Sequence, residues 1–263
     1  MAAALAVASC ASNEPKELVL YYSQTGTTKA VAEAIASQTG ADIVAFDVTD
    51  PYTGTFDETI ARCMQEQGTG YVPELADLNV ELSQYDVIYL GYPIWFGTYA
   101  PPVKALLDKV DLGGKTIVPF CTFGSGGLVE STADLKKALP SSDVREGYGV
   151  RTARVQYAPA EVARFLVNGG YVEGEAEAVP DYSEQMPVTE EEAAIFETAC
   201  SSYQYPLGTP VTCGSREVAD GTEYLFTAEN NGATSKVYVI AARKDGGAPE
   251  FTMVVRWEHP HET

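Results

Sequence analysis

The stretch YYSQTGTTKAVAEAI, from Tyr21 to Ile35, decides the expected fold because a hydroxyl-rich turn in it joins two kinds of segment. ELVLYY is a short apolar run typical of a strand, whereas KAVAEAIASQTG has helical spacing and stops at Gly40. A helix that begins at the turn presents unpaired amides and the positive end of its dipole there. The turn from Ser23 to Thr28 therefore predicts a cradle for a phosphate dianion.

Hydroxyls and main-chain amides are the donors of this predicted cradle. Its glycine allows the backbone to wrap closely round a ligand, and Lys29 is the only cation nearby in the sequence. The pattern matches neither the GxxxxGK[ST] nor the GxGxxG nucleotide-binding motif, and an ordinary Ser/Thr-rich turn before a capped helix is the alternative. The predicted residues are Ser23, Gln24, Thr25, Gly26, Thr27 and Thr28.

Strand and helix patterns alternate five times up to about residue 169, which is typical of an α/β, doubly wound, five-stranded parallel sheet. The continuous apolar runs YDVIYLGYPIW and KTIVPFCTF predict central strands, and DVREGYGV predicts a weaker fifth strand. Residues 170–187 are acidic and without period, which predicts a linker. Residues 188–263 predict a small α+β domain, in which a helix N-capped by Thr189 precedes three β-rich runs of an antiparallel meander.

Two further loops are expected at the edge of the sheet where the first turn lies, because open α/β sheets bind ligands at the carboxyl ends of their strands. GYPIWFGTYAPP follows the third strand, and its aromatic side chains can stack on a planar ring. CTFGSGG follows the fourth strand and is rich in glycine and hydroxyl groups. The alternatives are an aromatic cluster that only packs the loop, and a flexible surface loop.

These three stretches resemble the flavodoxin family, particularly a bacterial flavodoxin-like subgroup with a Pro-Ile-Trp-Trp-Gly-like second loop. The resemblance covers residues 17–169, keeps the motifs in family order and implies a strand order of 2-1-3-4-5. It implies FMN as the cofactor, with its phosphate on the six residues of the first turn. It also implies flavin-ring contacts from the second and third loops, at Pro93, Ile94, Trp95, Phe96, Gly97, Thr122, Phe123, Gly124, Ser125, Gly126 and Gly127.

The net charge and the resemblance to flavodoxins together limit the functions that we expect. The net charge of -20 argues against nucleic acid, whose phosphates need Lys and Arg, and favours a redox partner protein with a basic face. The resemblance implies electron transfer between a reductase and an acceptor. An FMN-dependent oxidoreductase that uses a nicotinamide nucleotide and a quinone-type acceptor is one alternative, and a flavin-free interaction module is another. No nucleophile, triad or metal site is evident, so no catalytic side chain is assigned.

The chain termini carry two further expectations. Residues 1–16 resemble a secretory signal, and VASC, ending at Cys10, resembles a bacterial lipobox, although a basic n-region is missing. This predicts an exported protein that is attached to the membrane only through a lipid anchor at Cys10. The alternative is a disordered tail on a cytoplasmic protein. His259 and His261 are assigned to a mobile C-terminal tail.

The C-terminal part resembles cystatin-like domains in its order of one helix followed by hairpins. EVADG, from Glu217 to Gly221, stands where the first cystatin hairpin carries Gln-Val-Val-Ala-Gly, but the Gln is absent and an acidic residue enters the wedge. We therefore expect a structural or docking domain, with inhibition of papain-type proteases as the weaker hypothesis. Cys200 and Cys213 flank a turn-rich stretch in this part, so that a disulfide and two free thiols both stay open.

Overall fold

The structure is a computed structural model, and it describes residues 15–256. The lipobox-like segment that ends at Cys10 and the histidines at 259 and 261 lie outside the described residues. No helix within the described range is long and apolar enough to cross a membrane.

The N-terminal unit, from β1 to α5, is a parallel sheet between two layers of helices. Its strands are β1 (Glu17–Tyr21), β2 (Asp42–Ala45), β3 (Val87–Trp95), β4 (Thr98–Tyr99), β5 (Thr116–Phe123), β6 (Asp143–Val144) and β7 (Tyr148–Arg151). Its helices are α1 (Thr27–Thr39), α2 (Phe56–Thr69), α3 (Pro101–Lys109), α4 (Leu128–Ala138) and α5 (Ala158–Asn168), with 3-10 turns at Leu82–Gln84 and Thr152–Tyr157.

The strand order β2-β1-β3-β5, followed by β6 and β7 on the far edge of β5, confirms the expected doubly wound sheet. The predicted fifth strand is split in two, and at the break a Cβ on Gly147 would lie 2.5 Å from the carbonyl oxygen of Pro119. The central strands are buried on both faces. Leu18 and Leu20 belong to the core cluster on one face, while Val19 and Tyr89 belong to the cluster under α1 and α5.

The C-terminal unit, from β8 to β12, packs one helix on a five-stranded antiparallel sheet of order β12-β11-β10-β9-β8. Thr189 and Glu192 form the capping box at the start of the helix, and Phe196 packs edge-on against Phe226 at 5.1 Å. The elements are β8 (Met186–Pro187), α6 (Glu190–Cys200), β9 (Thr209–Val218), β10 (Gly221–Asn230), β11 (Ala233–Ala241) and β12 (Glu250–Arg256). Strand β9 was not predicted, because its Pro, Gly, Ser and Thr residues conceal the alternation of apolar and polar positions.

The two units are joined by hydrogen bonds and ion pairs. The amide of Val254 donates to the carbonyl of Ser125 at 2.8 Å, so that β12 lies against the third loop. Arg154 is buried and pairs with Glu161 of its own unit and with Glu250 of the other. Buried charges persist only when they are paired, so this network holds the interface in one arrangement.

The cysteines of the C-terminal unit are free thiols, so the disulfide alternative is not the one adopted. Cys213 is buried, whereas Cys200 is half-buried on α6. Burial raises the pKa of each thiol to about 12, which keeps both protonated at neutral pH.

Candidate functional site

The first turn has the geometry of an anion cradle. Gly26 is the N-cap of α1 with φ 88°, a left-handed conformation that glycine adopts without strain, and a Cβ built on it would meet nothing within 4 Å. No acceptor within the described range takes a hydrogen bond from the main-chain amides of residues 24–28. Five successive amides are therefore available to a ligand at the N-terminus of a helix.

The side chains of the turn divide into two groups. Thr25 and Thr27 lie 3.3 Å apart through their hydroxyls at the exposed tip, and the Ser23 hydroxyl accepts from the amide of Lys29 at 3.2 Å while keeping its own hydrogen to donate. Thr28 instead points inward, where its hydroxyl lies 2.8 Å from that of Thr122. This buried contact ties the first turn to the start of the third loop.

The cradle contains no side-chain cation. The ammonium of Lys29 lies 3.7 Å from the carboxylate of Glu33 one helical turn on, and both side chains are more than half exposed. A phosphate in the cradle would therefore be held by amides, hydroxyls and the helix dipole alone.

A cavity of about 440 Å³ adjoins the cradle through Gln24. The side-chain amide of Gln24 donates to the Tyr52 carbonyl at 3.1 Å and to the Thr59 hydroxyl at 2.8 Å, so it is held by α2 and by the loop before this helix. Of the predicted residues, six line this cavity: Gln24, Ile94, Trp95, Phe96, Gly124 and Ser125. The first, second and third loops thus meet at one place, as their common sheet edge implies.

The cavity also has lining residues that sequence reasoning missed. One group comes from the first two turns of α2, another is Arg151 at the end of β7, and the last is the α6–β9 loop of the C-terminal unit. They are Phe56, Thr59, Ile60, Cys63, Arg151 and the loop residues Ser202, Tyr203, Gln204 and Tyr205. Among these residues, only Arg151 could have been predicted from the sequence. It stands at the end of the fifth predicted strand, and ligands bind at the carboxyl ends of strands in such sheets.

The second loop is a tight hairpin between β3 and β4. Phe96 and Gly97 form a two-residue turn with φ angles of 52° and 85°, which leaves Phe96 half exposed at the cavity. Trp95 is supported from behind, because its ring packs edge-on against Tyr52 at 5.1 Å and Tyr22 at 6.0 Å. The Tyr52 hydroxyl in turn donates to the carboxylate of Glu66 at 2.5 Å. The indole is thus fixed by a packed polar and aromatic network.

The remaining predicted residues of the second and third loops do not line the cavity. Phe123 is buried and faces a second cavity of about 360 Å³ between the units. A Cβ on Gly126 would lie 2.2 Å from the carbonyl of Val254, so this part of the third loop is covered by β12. A Cβ on Gly127 would lie 2.5 Å from Ile94, so glycine there permits the second and third loops to touch. Outside the cavity lining lie Pro93, Gly97, Thr122, Phe123, Gly126 and Gly127.

The electrostatics of the cavity differ from those of the whole chain. Arg151 is the one lining side chain with an ionic charge at neutral pH, and no carboxylate is among the cavity residues that the structure describes. Its guanidinium donates to the Gly124 carbonyl at 2.8 Å and to the Phe251 carbonyl at 2.9 Å. Burial raises the pKa of the Cys63 thiol to about 11, with Glu66 adding to the effect, so this thiol is neutral.

Within residues 15–256, no group of His, Cys, Asp and Glu side chains could hold a metal ion. Comparison with known proteins identifies the family. A family model described as flavodoxin matches residues 16–159, which is more than half of the chain. The chain belongs to the flavodoxin family.

Proteins similar to this chain include some of known structure. A candidate flavoprotein from Bacteroides uniformis is 25% identical with a TM-score of 0.51, over 57% of this chain and 98% of its own. A Lactobacillus acidophilus flavoprotein in complex with FMN is 26% identical with a TM-score of 0.46, over 54% of this chain and 97% of its own.

One curated relative has a named activity. An "NAD(P)H dehydrogenase (quinone)" from Cupriavidus metallidurans is 32% identical to this chain over 120 residues, which is 45% of its length. The chain spans 57% of the length of that relative.

Proposed function

We propose that this protein binds FMN and transfers electrons between a reductase and an acceptor. The observation that supports this best is one juxtaposition: five free amides at the N-terminus of α1 adjoin an aromatic cavity of about 440 Å³. A phosphate site and a planar-ring site that share Gln24 match the two ends of FMN.

The residues present fit the cofactor. The open space at Gly26 leaves room for phosphate oxygens against the amides, and the exposed hydroxyls of Thr25 and Thr27 add donors. The cavity volume lies within the range of roughly 300–1,000 Å³ that is usual for small-molecule sites. Trp95, Phe96 and Gly124 would border the ring, with main chain close to its edge at the glycine.

FMN would supply one-electron and two-electron transfer, and the chain would set how readily it does so. Trp95 would orient the ring, since Tyr22 and Tyr52 hold the indole in place. The apolar and aromatic lining would exclude water, which strengthens electrostatic interactions inside the cavity. Arg151 would place a positive charge there in spite of the net charge of -20.

A second candidate is an FMN-dependent oxidoreductase that takes hydride from a nicotinamide nucleotide and reduces a quinone-type acceptor. The observation that favours it is the 32% identity to the relative named "NAD(P)H dehydrogenase (quinone)". The electron carrier is favoured instead by the acidic surface, which suits a basic redox partner.

We propose that the C-terminal unit is a structural or docking domain. The turn of the β9–β10 hairpin, which would be the inhibitory wedge of a cystatin, places Asp220 in an ion pair with Arg164 of α5. The hairpin is therefore engaged by the N-terminal unit of its own chain and is not presented to a protease cleft.

Purification without added flavin tests the proposal. The protein should be yellow, release FMN on denaturation, and as apoprotein quench FMN fluorescence on titration. A colourless protein that leaves FMN fluorescence unchanged would contradict it. Steady oxidation of NADH or NADPH with menadione as acceptor, in the absence of any reductase, would favour the oxidoreductase over the carrier.

A further inference from the structure

The α6–β9 loop, residues 201–208, belongs to the C-terminal unit but reaches the cavity of the N-terminal unit. Its residues Ser202 to Tyr205 line the same cavity as Gln24 and Trp95, although about 110 residues separate Trp95 from Tyr205 in the sequence. The site is therefore composite, and one of its walls lies outside the part of the chain that matches the family.

The loop is fixed in place by two contacts. The ring of Tyr203 packs against Phe251 of β12 at 4.9 Å, and the amide of Tyr203 donates to the Cys200 carbonyl at 3.0 Å. The guanidinium of Arg151 lies 4.5 Å from the Phe251 ring and 5.7 Å from the Tyr203 ring. Because Arg151 also donates to the Gly124 carbonyl, the same side chain joins the loop to the third loop of the N-terminal unit.

Tyr205 is the aromatic side chain of this loop that remains open. It is 55% exposed, and its one ring contact in the described part of the chain is the edge of Tyr203 at 5.8 Å. An exposed aromatic ring that lines a largely apolar cavity and packs against a second aromatic ring is suited to contact a planar ligand.

We propose that the α6–β9 loop is a fourth flavin-binding segment, in which Tyr205 contacts the ring system and Tyr203 with Arg151 positions it. This inference rests on the proposed binding of FMN. It also implies that the C-terminal unit covers part of the ring edge, so that the electron acceptor approaches the ring beside the loop.

Parallel titrations with FMN and riboflavin test this contact, because riboflavin has the ring but lacks the phosphate. Tyr205→Ala should raise the dissociation constants of both ligands about tenfold, as expected for the loss of one aromatic stacking partner. Tyr71→Ala is the matched control, since Tyr71 is also 55% exposed but does not line the cavity, and it should change neither constant.

A cradle variant separates the two ends of the ligand. Thr27→Val should weaken FMN binding and leave riboflavin binding unchanged, whereas Tyr205→Ala should leave the ratio of the two constants unchanged. Circular dichroism confirms that each variant is folded.

The outcomes distinguish the two proposals. One outcome is that the wild type binds FMN while Tyr205→Ala changes neither dissociation constant, or changes that of FMN alone. In that case the α6–β9 loop is not a flavin-binding segment, and the proposed function stands. If the folded wild type binds neither ligand, both are wrong.

Discussion

The phosphate cradle and the ring cavity lie side by side but are built in opposite ways. The cradle is one continuous stretch, Ser23 to Thr28, and its donors are mainly backbone amides of a single turn. The cavity is assembled from six segments between Gln24 and Tyr205, and the last of them comes from another unit. Local geometry therefore suffices for the anion, whereas the environment of the ring depends on how distant parts of the chain pack.

The two regions also differ in charge. Within the described residues the cradle has no unpaired cation, since Lys29 pairs with Glu33, while the cavity has the guanidinium of Arg151. An anion in the cradle must be held against a chain of net charge -20 by dipoles. FMN binding should therefore be more sensitive to a change of charge in the cradle than in the cavity, and one added negative charge there should have the largest effect.

Gly26→Asp should weaken FMN binding about a hundredfold or more. A carboxylate within about 5 Å of a dianion costs roughly 3 kcal/mol per charge pair at an effective dielectric constant near 20. Gly26→Asn is the control, because Asn also tolerates the left-handed backbone and nothing lies within 4 Å of the new Cβ.

Isothermal titration with FMN and with riboflavin measures the effect. Riboflavin affinity should be the same in Gly26→Asp and Gly26→Asn, since it carries no phosphate. Equal FMN affinity in the two variants would show that the anion does not bind at this turn.

The same contrast explains how much the sequence predicts. The alternation of elements, the sheet order and the cradle depend on local patterns and short connections, and Gly26 and its neighbouring hydroxyls are visible in the chain. The contribution of the C-terminal unit is not visible, because nothing near Tyr205 indicates what it will face after folding. Phe123 shows the same limit: it stands in the third loop, yet it is buried toward the interface between the units.

The fifth strand shows a more local limit. DVREGYGV predicts one strand, but the close approach of Gly147 to the Pro119 carbonyl divides it. The break leaves Arg151 at the end of β7, beside the cavity. The arginine at this strand end thus becomes the charged group of the ring site.

Arg151→Gln tests that charge and should have an intermediate effect. Reduction adds negative charge to the ring, so removing a nearby cation should make the reduction potential of the bound flavin more negative. If the reduced flavin loses about 1.4 kcal/mol of stabilisation, the reduction potential falls by about 30 mV for a two-electron couple. Spectroelectrochemical titration of the FMN-loaded protein measures it.

Arg151→Lys is the control that separates charge from hydrogen bonding, because lysine keeps the charge but cannot reproduce the fork that reaches Gly124 and Phe251. Its potential should stay closer to that of the wild type. If the reduction potential of Arg151→Gln equals or exceeds that of the wild type, the charge of Arg151 does not stabilise the reduced flavin.

The smallest effect concerns two turns with nearly the same backbone. Phe96-Gly97 has φ angles of 52° and 85°, and Asn231-Gly232, in the hairpin between β10 and β11, has 51° and 81°. Asn-Gly suits this turn, whereas an aromatic residue in the left-handed region costs roughly 1 kcal/mol. The hairpin that lines the cavity therefore carries the residue that fits its backbone less well.

Phe96→Asn should raise the free energy of unfolding by about 1 kcal/mol and weaken flavin binding about threefold, since one half-exposed aromatic contact is lost. Asn231→Phe, the reciprocal change, should lower stability by a similar amount and leave flavin binding unchanged. Urea denaturation of the apoproteins and FMN titration measure the two quantities separately. We expect Phe96→Asn to increase stability and decrease flavin affinity, and Asn231→Phe to change stability alone. This result would show that Phe96 contributes to ligand binding at the cost of a less stable turn between β3 and β4. A stability loss in Phe96→Asn would show instead that the side chain serves the packing of the hairpin, and the cavity would then lose one of its proposed ring contacts.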